Sequence, residues 1–485
     1  MRKFDAREGM KDAILQGTSE FDTHIYDPYP ECRMVPAAPG RPRLTGRRVV
    51  GSAALTLMLA APLHVQAEDL VGVYHQAMVS SPVIAQSRAL LQADQAGHSI
   101  ARGQLLPHLS AGASAGVNNT TVSGVLPQKI SGSFYSDSYS VTLTQPLLDG
   151  SAYAALHAAD SRIRGDQAAL AYVRQALILN VTEAYFGVLR RIADARVARD
   201  QKRLLDSLYR EAQARLKIGA GDIVAVAEAR ARLDAARSVL TRADDAVSVA
   251  NRQLERLTHA PVPQLCDVRP FAPRGPDPDR MHQWVAMALR DQPLLRQARA
   301  QLRADRDQVD VRRRAAWPTI SISGIAQHGY GVLLPDMTMN TAGASLNLAV
   351  PIFAGGAIDA GVRQAHAQVR AQQAHIADLD DGIRLDTQTA FLALRDSVPQ
   401  LTEARAARRS AALSLKATRK GYDLGVRSIL DVLTAASDAA QAQRDYERAL
   451  YDQIIARVRL KAASGILAPA DVVAVNDLLR RCPAP

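Results

Sequence analysis

Aromatic residues are scarce in this chain, at 5% of its 485 positions, although 47% of the sequence is hydrophobic and much of that is alanine. Broad compact cores rely on large aromatic and branched side chains, whereas alanine-rich helices pack closely as long bundles. Cysteine is nearly absent, with only Cys32, Cys266 and Cys482. His98, His108, His157, His259, His366 and His375 form no metal-ligand spacing with a cysteine or carboxylate. There is no G-x-S-x-G, no phosphate-binding glycine loop and no clustered Cys/His motif. These absences speak against an enzyme and predict neither cofactor nor metal. After Leu63 no run of 18 apolar residues occurs, which excludes a transmembrane helix.

Proline is also missing, from the whole interval between Pro146 and Pro261. Inside it Leu156, Ile163, Leu170, Leu177 and Ala184 fall seven apart, and Val181, Tyr185, Val188, Ile192 and Ala195 continue an apolar stripe at steps of three and four. That is coiled-coil spacing. The segment from Ser151 to about Leu216 alone predicts a helix roughly 100 Å long. The net charge of +11 is carried by arginines interleaved with acids, as in Arg196, Arg199, Asp200, Lys202, Arg203 and Asp206. This pattern describes a solvated helical face rather than a nucleic-acid surface, because no compact basic patch with interleaved aromatics occurs.

The N-terminal region reads as a secretory signal. Arg41, Arg43, Arg47 and Arg48 precede the apolar run from Val49 to Leu63, and Val65-Gln66-Ala67 supplies a cleavage site after Ala67. Met34 lies at a normal distance upstream and is an alternative start. Cleavage removes Cys32 and leaves Cys266 and Cys482. An oxidising compartment permits a disulfide between them, with two free thiols as the alternative. No cysteine follows the cleavage site, so an N-terminal lipid anchor is not indicated.

Internal repetition sets the architecture. Pro82 and Pro293 are 211 apart, as are Pro107 and Pro318. The heptad series recurs at Val362, Val369, Ile376, Ile383 and Ala390, a shift of 206 that also relates Gly219 to Gly425, Ile223 to Ile429 and Leu254 to Leu460. Each copy reads helix, strand, strand, long helix, turn, helix. Tyr139, Val141 and Leu143 alternate with Ser138, Ser140, Thr142 and Thr144. In the second copy Ala342, Ala344, Leu346, Leu348 and Val350 alternate with Thr341, Gly343, Ser345 and Asn347. Their partners are His108 to about Val122 and Thr319 to about Tyr330. Period two with one apolar and one small polar face fits strands that meet lipid or core on one side and water on the other. Crossing an outer membrane takes about 9 to 11 tilted residues. Four strands cannot close alone, since the smallest barrels use about eight, so lipid contact would demand oligomerisation. A soluble sheet capping a helical bundle is the rival reading.

These features together resemble the TolC family of outer-membrane channels. The matching residues are Gln145-Pro146-Leu147-Leu148-Asp149-Gly150, its counterpart Val350 to Gly356, and the turn from Tyr422 to Ala435. The resemblance implies an α+β fold dominated by helices, with long antiparallel hairpins forming a periplasmic α-barrel and four transmembrane strands per protomer in two repeats. It implies a homotrimer in the outer membrane of a Gram-negative bacterium, in contact with lipid, a periplasmic adaptor and an inner-membrane transporter, with no nucleic-acid partner. Channels of the CyaE-like, type I toxin-secretion branch, working with an ABC transporter, are plausible relatives; export of small molecules is the alternative, and a non-pore periplasmic scaffold a second one. The segments expected are 1–67 (extension and signal), 68–106 (helix), 107–147 (hairpin), 148–265 (long helical hairpin), 266–318 (linker and helix), 319–351 (hairpin), 352–467 (long helical hairpin) and 468–485 (tail).

Chemistry concentrates at the two turns. Gly219 and Gly425 can take the left-handed conformation that ends a helix, and Asp222 and Ser428 can cap the next one. The resemblance puts Gly219, Gly221, Gly425 and Ser428 at the tips facing the adaptor, and Asp431, Arg427, Tyr422 and Asp222 at a periplasmic gate. Asp431 matches an acidic-ring position that would favour cations. Tyr422 and Arg427 match residues that tie the second turn to the first. Two departures weaken the carry-over: a second acidic-ring position is Thr434, and the acid receiving the tyrosine is Ala225, with Asp222 the nearest substitute. Ser428 to Asp431 also reads as a capping box. Pro399 interrupts the second rod and should kink it, where the first copy has Ala193. Trp317 suits an aromatic belt at the membrane face, or simple packing.

Overall fold

The computed structural model describes residues 68–122, 130–261, 264–332 and 337–480. The signal sequence, its cleavage site, Met34, Cys32 and Cys482 lie outside the described residues. The elements run α1 (Leu70–Ser80), α2 (Pro82–Gly103), β1 (His108–Val122), β2 (Ile130–Leu148), α3 (Gly150–Lys217), α4 (Ile223–Thr258), α5 (Met281–Asp291), α6 (Pro293–Arg314), β3 (Thr319–Tyr330), β4 (Thr338–Ala349), α7 (Ala357–Asp423), α8 (Ile429–Ala463) and α9 (Pro469–Asn476). The duplication is plain in this order, α1 to α4 being repeated as α5 to α8. It extends to a detail: α4 ends on left-handed His259, and the residue 206 later is left-handed Gly465 at the end of α8.

Sequence reading gave one helix in 68–106 and a plain tail after 467. Two corrections follow. Ser81 accepts the Ile84 N–H and Pro82 occupies the first turn, so a new helix starts there and α1 and α2 are separate. The tail contains α9, whose Asn476 accepts the Leu70 N–H at 3.0 Å and donates to Asp69 at 2.9 Å. Pro399 sits inside α7, and the helix continues through it to Asp423.

All four strands form one antiparallel sheet in the order β1-β2-β3-β4. Register puts Leu109 opposite Leu143, Val117 opposite Tyr135, and Ile322 opposite Leu346. These side chains share one face with Tyr139, Val141 and Leu348, and all are exposed. The other face is small and polar, with Ser114 bonded to Ser138 at 2.8 Å, Ser323 to Ser345 at 2.9 Å, and Asn347 donating to Ser323 at 2.8 Å. Both outer strands, β1 and β4, keep one unpaired backbone edge.

The helices repeat that open-ended layout. Along its first half α3 packs on α2 and α6, through His98–Asp160 at 3.2 Å and Ser161 donating to Asp307 at 2.8 Å. Along its second half it packs on α8 and α4, through Arg190–Asp452 at 3.6 Å and Arg199–Asp244 at 3.0 Å. On the far side of α6, Gln372 of α7 donates to the Ala298 carbonyl at 3.0 Å. The row is therefore α2-α3-α6-α7 beside the strands and α4-α3-α8-α7 beyond them. Flanked on both sides, α3 buries Leu170, Leu177, Val181, Tyr185 and Val188 of its predicted stripe; α7, at the end of each row, leaves most of its stripe half-exposed.

Three aromatic residues meet at the waist, where Tyr185, Phe186 and Tyr451 are fully buried. The Tyr185 hydroxyl donates to the Cys266 carbonyl at 3.0 Å and accepts its N–H at 3.1 Å. Tyr451 donates to Asp267 at 3.1 Å. The linker after α4 is thus pinned to the middle of α3, with Glu68 and Arg480 bonded to it at 3.0 and 2.8 Å. Cys266 is disulfide-bonded.

Two expectations come from this packing. Gly465 has φ +71, and a Cβ there would lie 2.5 Å from the Gln292 Cα. Gly465→Ala should cost at least about 2 kcal/mol, read as a lowered midpoint in denaturant titration. Between α2 and α3, burial and then the hydrogen bond that protonated Asp166 donates to the Asp94 carboxylate push the Asp166 carboxyl up from 3.8 to about 6. The folded chain then holds a proton that the unfolded chain has released, so stability is lost as pH rises from 3.8 to about 6. Asp166→Asn should remove that part of the pH dependence of the melting temperature.

Candidate functional site at the helical turns

Both turns are built alike, far from the sheet. After α3, the Gly219 N–H donates to the Leu216 carbonyl at 3.1 Å and the Ala220 N–H to Arg215 at 2.9 Å; after α7, Gly425 donates to Tyr422 at 3.0 Å and Val426 to Gly421 at 2.9 Å. This double closure requires a left-handed residue, and the two glycines have φ +74 and +77. Asp222 then caps α4 by accepting the Val224 N–H at 3.1 Å. Ser428 and Asp431 form the reciprocal capping box of α8, at 3.2 and 3.0 Å. Gly221 has a packing reason, because a Cβ there would lie 2.8 Å from the Leu216 nitrogen.

Asp431 is held below the usual carboxylate range, first by the Ser428 backbone N–H, then by the Ser428 side chain, with Arg427 adding to it. It is a fixed anion at the turn. Arg427 is exposed and folds back over Gly421 of its own turn; among the described residues it makes no ion pair, so within one protomer it does not tie the two turns together. Asp222 and Thr434 are exposed, and Ala225 is part of the apolar packing.

Tyr422 does join the hairpins, by a route the sequence did not suggest. It is buried among Leu205, Leu208, Leu233 and Val432, with the Arg215 guanidinium 4.3 Å from its ring centre. Burial raises its hydroxyl pKa. Beside it Glu211 of α3 accepts from Arg419 of α7 at 2.5 Å and from Arg215 at 3.1 Å, and Arg419 also reaches Asp423 at 3.5 Å. A four-residue ionic chain, Arg215-Glu211-Arg419-Asp423, therefore bridges the two long helices around Tyr422. Glu211 and Arg419 have no shared motif in the sequence. Only the 208-residue separation closed by the fold brings them together.

The tips also carry an apolar crown. Ile218, Ile223, Val224, Leu424 and Val426 are 55–78% exposed, far more than isolated packing would leave. The 206 shift could have exposed part of this, since it relates Ile218 to Leu424 and Val224 to Leu430. Among the described residues no group of three or more His, Cys, Asp or Glu could hold a metal ion, and no helix is long and apolar enough to cross a membrane.

Comparison with known proteins agrees with this geometry. The family described as "Outer membrane efflux protein" matches residues 73–259 and 284–466, one match per repeat. The chain is 27% identical to outer membrane protein TolC of Escherichia coli K12 over 432 residues, covering 86% of each. It is 30% identical to the alkaline protease secretion protein AprF of Pseudomonas aeruginosa over 441 residues, covering 85% of this chain and 88% of the relative. With protein CyaE of Bordetella pertussis the identity is 29% over 396 residues, covering 76% and 78%. Among solved structures, the Campylobacter jejuni CmeC outer membrane channel matches its fold with a TM-score of 0.74 at 18% identity, covering 85% of this chain and 90% of that one.

If Glu211 is the shared acceptor of the hairpin bridge, Glu211→Ala should loosen the tips alone. Amides flanking Gly219 and Gly425 are expected to exchange with deuterium about two- to fivefold faster. Those around Tyr185 should not change.

Proposed function

Because the chain belongs to the outer membrane efflux protein family, we propose that three copies of it form the outer-membrane exit duct of a type I protein-secretion system. It is an outer-membrane channel protein of the TolC family and not an enzyme. The observation that carries assembly into a closed ring is the open row, and the number three comes from the family resemblance. One sheet with two free edges cannot lie in lipid, where each unpaired backbone group costs several kcal/mol. Pairing β4 of one copy with β1 of the next removes every edge, and three copies give a closed barrel of twelve strands, above the minimum of about eight. The same step joins α7 of one copy to α2 and α4 of the next, continuing the barrel as a helical tunnel.

The exposed band of Leu109, Tyr135, Tyr139, Leu143, Leu346 and Leu348 would then face lipid, and the serine-rich face would line the pore. At the far end, three Asp431 carboxylates would form a ring favouring cations. The apolar crown and the tips at Gly219, Gly221, Gly425 and Ser428 would meet a periplasmic adaptor, and the Tyr422 bridge would hold the hairpins closed until docking. Energy would come from an inner-membrane transporter, of ABC type in a type I system. Likeness to AprF, whose name is that of a protease secretion protein, favours protein cargo. The family's own description as an efflux protein favours the second reading, small-molecule efflux.

The test uses a host lacking its own channel of this kind, supplied with this chain, an ABC transporter, its adaptor and their toxin. Toxin in the medium without restored drug resistance is the expected outcome; resistance without toxin selects efflux. On an unheated denaturing gel the protein should run as a trimer, and in planar bilayers Asp431→Ala should reduce cation preference. Monomer alone with no conductance would leave only a non-pore scaffold.

A further inference from the structure

Where the sheet meets the helices, the last turn of α6 carries Arg312, Arg313 and Arg314 in succession. Three cations at a helix C-terminus complement its dipole, but here they are in excess of any partner. The ion pairs of α6 are Arg296–Asp291 and Arg299–Asp380, both at its other end. Among the described residues, Arg312, Arg313 and Arg314 form none. The nearby Asp149 carboxylate is occupied in capping α3, where it accepts from Ser151 and Ala152. Arg102, at the matching end of α2, is likewise exposed and without an ion pair among the described residues.

The surroundings at this level are apolar and open. Trp317 is 50% exposed, with the Arg314 guanidinium 5.4 Å from its ring centre. Leu106 precedes β1, Leu147 and Leu148 close β2, and Ile352 and Phe353 follow β4; all are exposed. β3 begins at Thr319, so the three arginines lie within ~10 Å of the first strand residue at the helical rise. Headgroup regions extend about 5–8 Å beyond each side of the hydrocarbon core. With the sheet in the outer membrane, this turn stands among the headgroups of the inner leaflet.

α6 is flanked by α3 on one side, where Ser161 meets Asp307, and by α7 on the other, where Leu295 packs beside Ile383 and Gln372 reaches Ala298. At about 100° per residue, Arg313 comes five full turns after Leu295 and so turns with it toward α7, while Arg312 and Arg314 fall about 160° apart on opposite sides of the helix. Arg312 and Arg313 are exposed and Arg314 is half-exposed, so guanidinium groups without an ion pair among the described residues stand open at this level. The stem of Arg312 rests on Gly361 of α7 and that of Arg314 on Gly150 of α3.

We propose that the last turn of α6, with Trp317, forms a collar in each protomer that binds the phosphates of anionic phospholipids in the inner leaflet of the outer membrane. Guanidinium forks match phosphate geometry in two hydrogen bonds, and the indole anchors at the same depth. The collar would fix how deep the channel sits and so how far its tips reach from the membrane.

The experiment reconstitutes the full mature protein in nanodiscs of phosphatidylethanolamine with one-fifth phosphatidylglycerol, releases it in mild detergent, and measures the retained lipids by mass spectrometry. A single arginine near an anionic surface contributes roughly a fivefold preference. The native protein should retain phosphatidylglycerol enriched roughly five- to tenfold over the bulk, less so in high salt. R312Q/R313Q/R314Q should lose the enrichment, R312K/R313K/R314K should keep most of it, and R303Q/R306Q, about one and a half turns or more deeper, should not alter it. Unheated gels check that each variant still migrates as the native protein does. If the glutamine variant does not assemble, R312Q and R313Q/R314Q are assayed separately, and one of the two must lose the enrichment. No enrichment in the native protein, equal enrichment in the glutamine variants, or equal loss in R303Q/R306Q would each overturn the proposal.

Discussion

An unpaired backbone edge is the constraint on which this structure turns. A strand ending a sheet presents a row of amide and carbonyl groups that water can satisfy and hydrocarbon cannot. The band of Leu109, Val141, Leu143, Leu346 and Leu348 fits a face in hydrocarbon, and β1 and β4 both end the sheet. The unfinished sheet and the unfinished rows of helices have the same cause, since each long helix continues from a strand. Completing one completes the other.

Within the protomer, α3 serves as the common wall. It touches α2, α4, α6 and α8, and its buried stripe and Tyr185 hold the linker at the waist, where Glu68 and Arg480 are bonded to it. α7 descends from the same ancestral segment yet sits at the end of the row, with less of its surface covered. Duplication gives two nearly identical rods, and position in the row makes their surfaces differ. A chain with few large aromatics can sustain this arrangement because alanine lets neighbouring helices approach closely, while buried aromatics such as Tyr185, Phe186 and Tyr451 fill the waist and Tyr422 the tips.

At the tips, backbone geometry and side-chain links do separate jobs. Gly219 and Gly425 allow the chain to reverse, and Asp222, Ser428 and Asp431 saturate the free amides of the returning helices. What holds one hairpin against the other is the Arg215-Glu211-Arg419-Asp423 chain around Tyr422. Arg427, the residue for which a linking role was expected, turns back on its own helix end.

The sequence by itself determined the duplication, the two rods, the strand pairs and their faces, and the reversal at Gly219 and Gly425. All of these are local: periodicity, proline placement, capping residues and a repeat offset specify them within a few turns of chain. It also carried the family, through turn motifs that recur in both copies. Tertiary structure alone decided the separate helix α9 and its clasp on Asp69, the order of helices in the wall, the partners of Tyr422, and the unpaired state of Arg312 to Arg314. Each of these depends on contacts between residues hundreds of positions apart, and no local pattern of side chains encodes which distant charge will be near and which will be left without a partner.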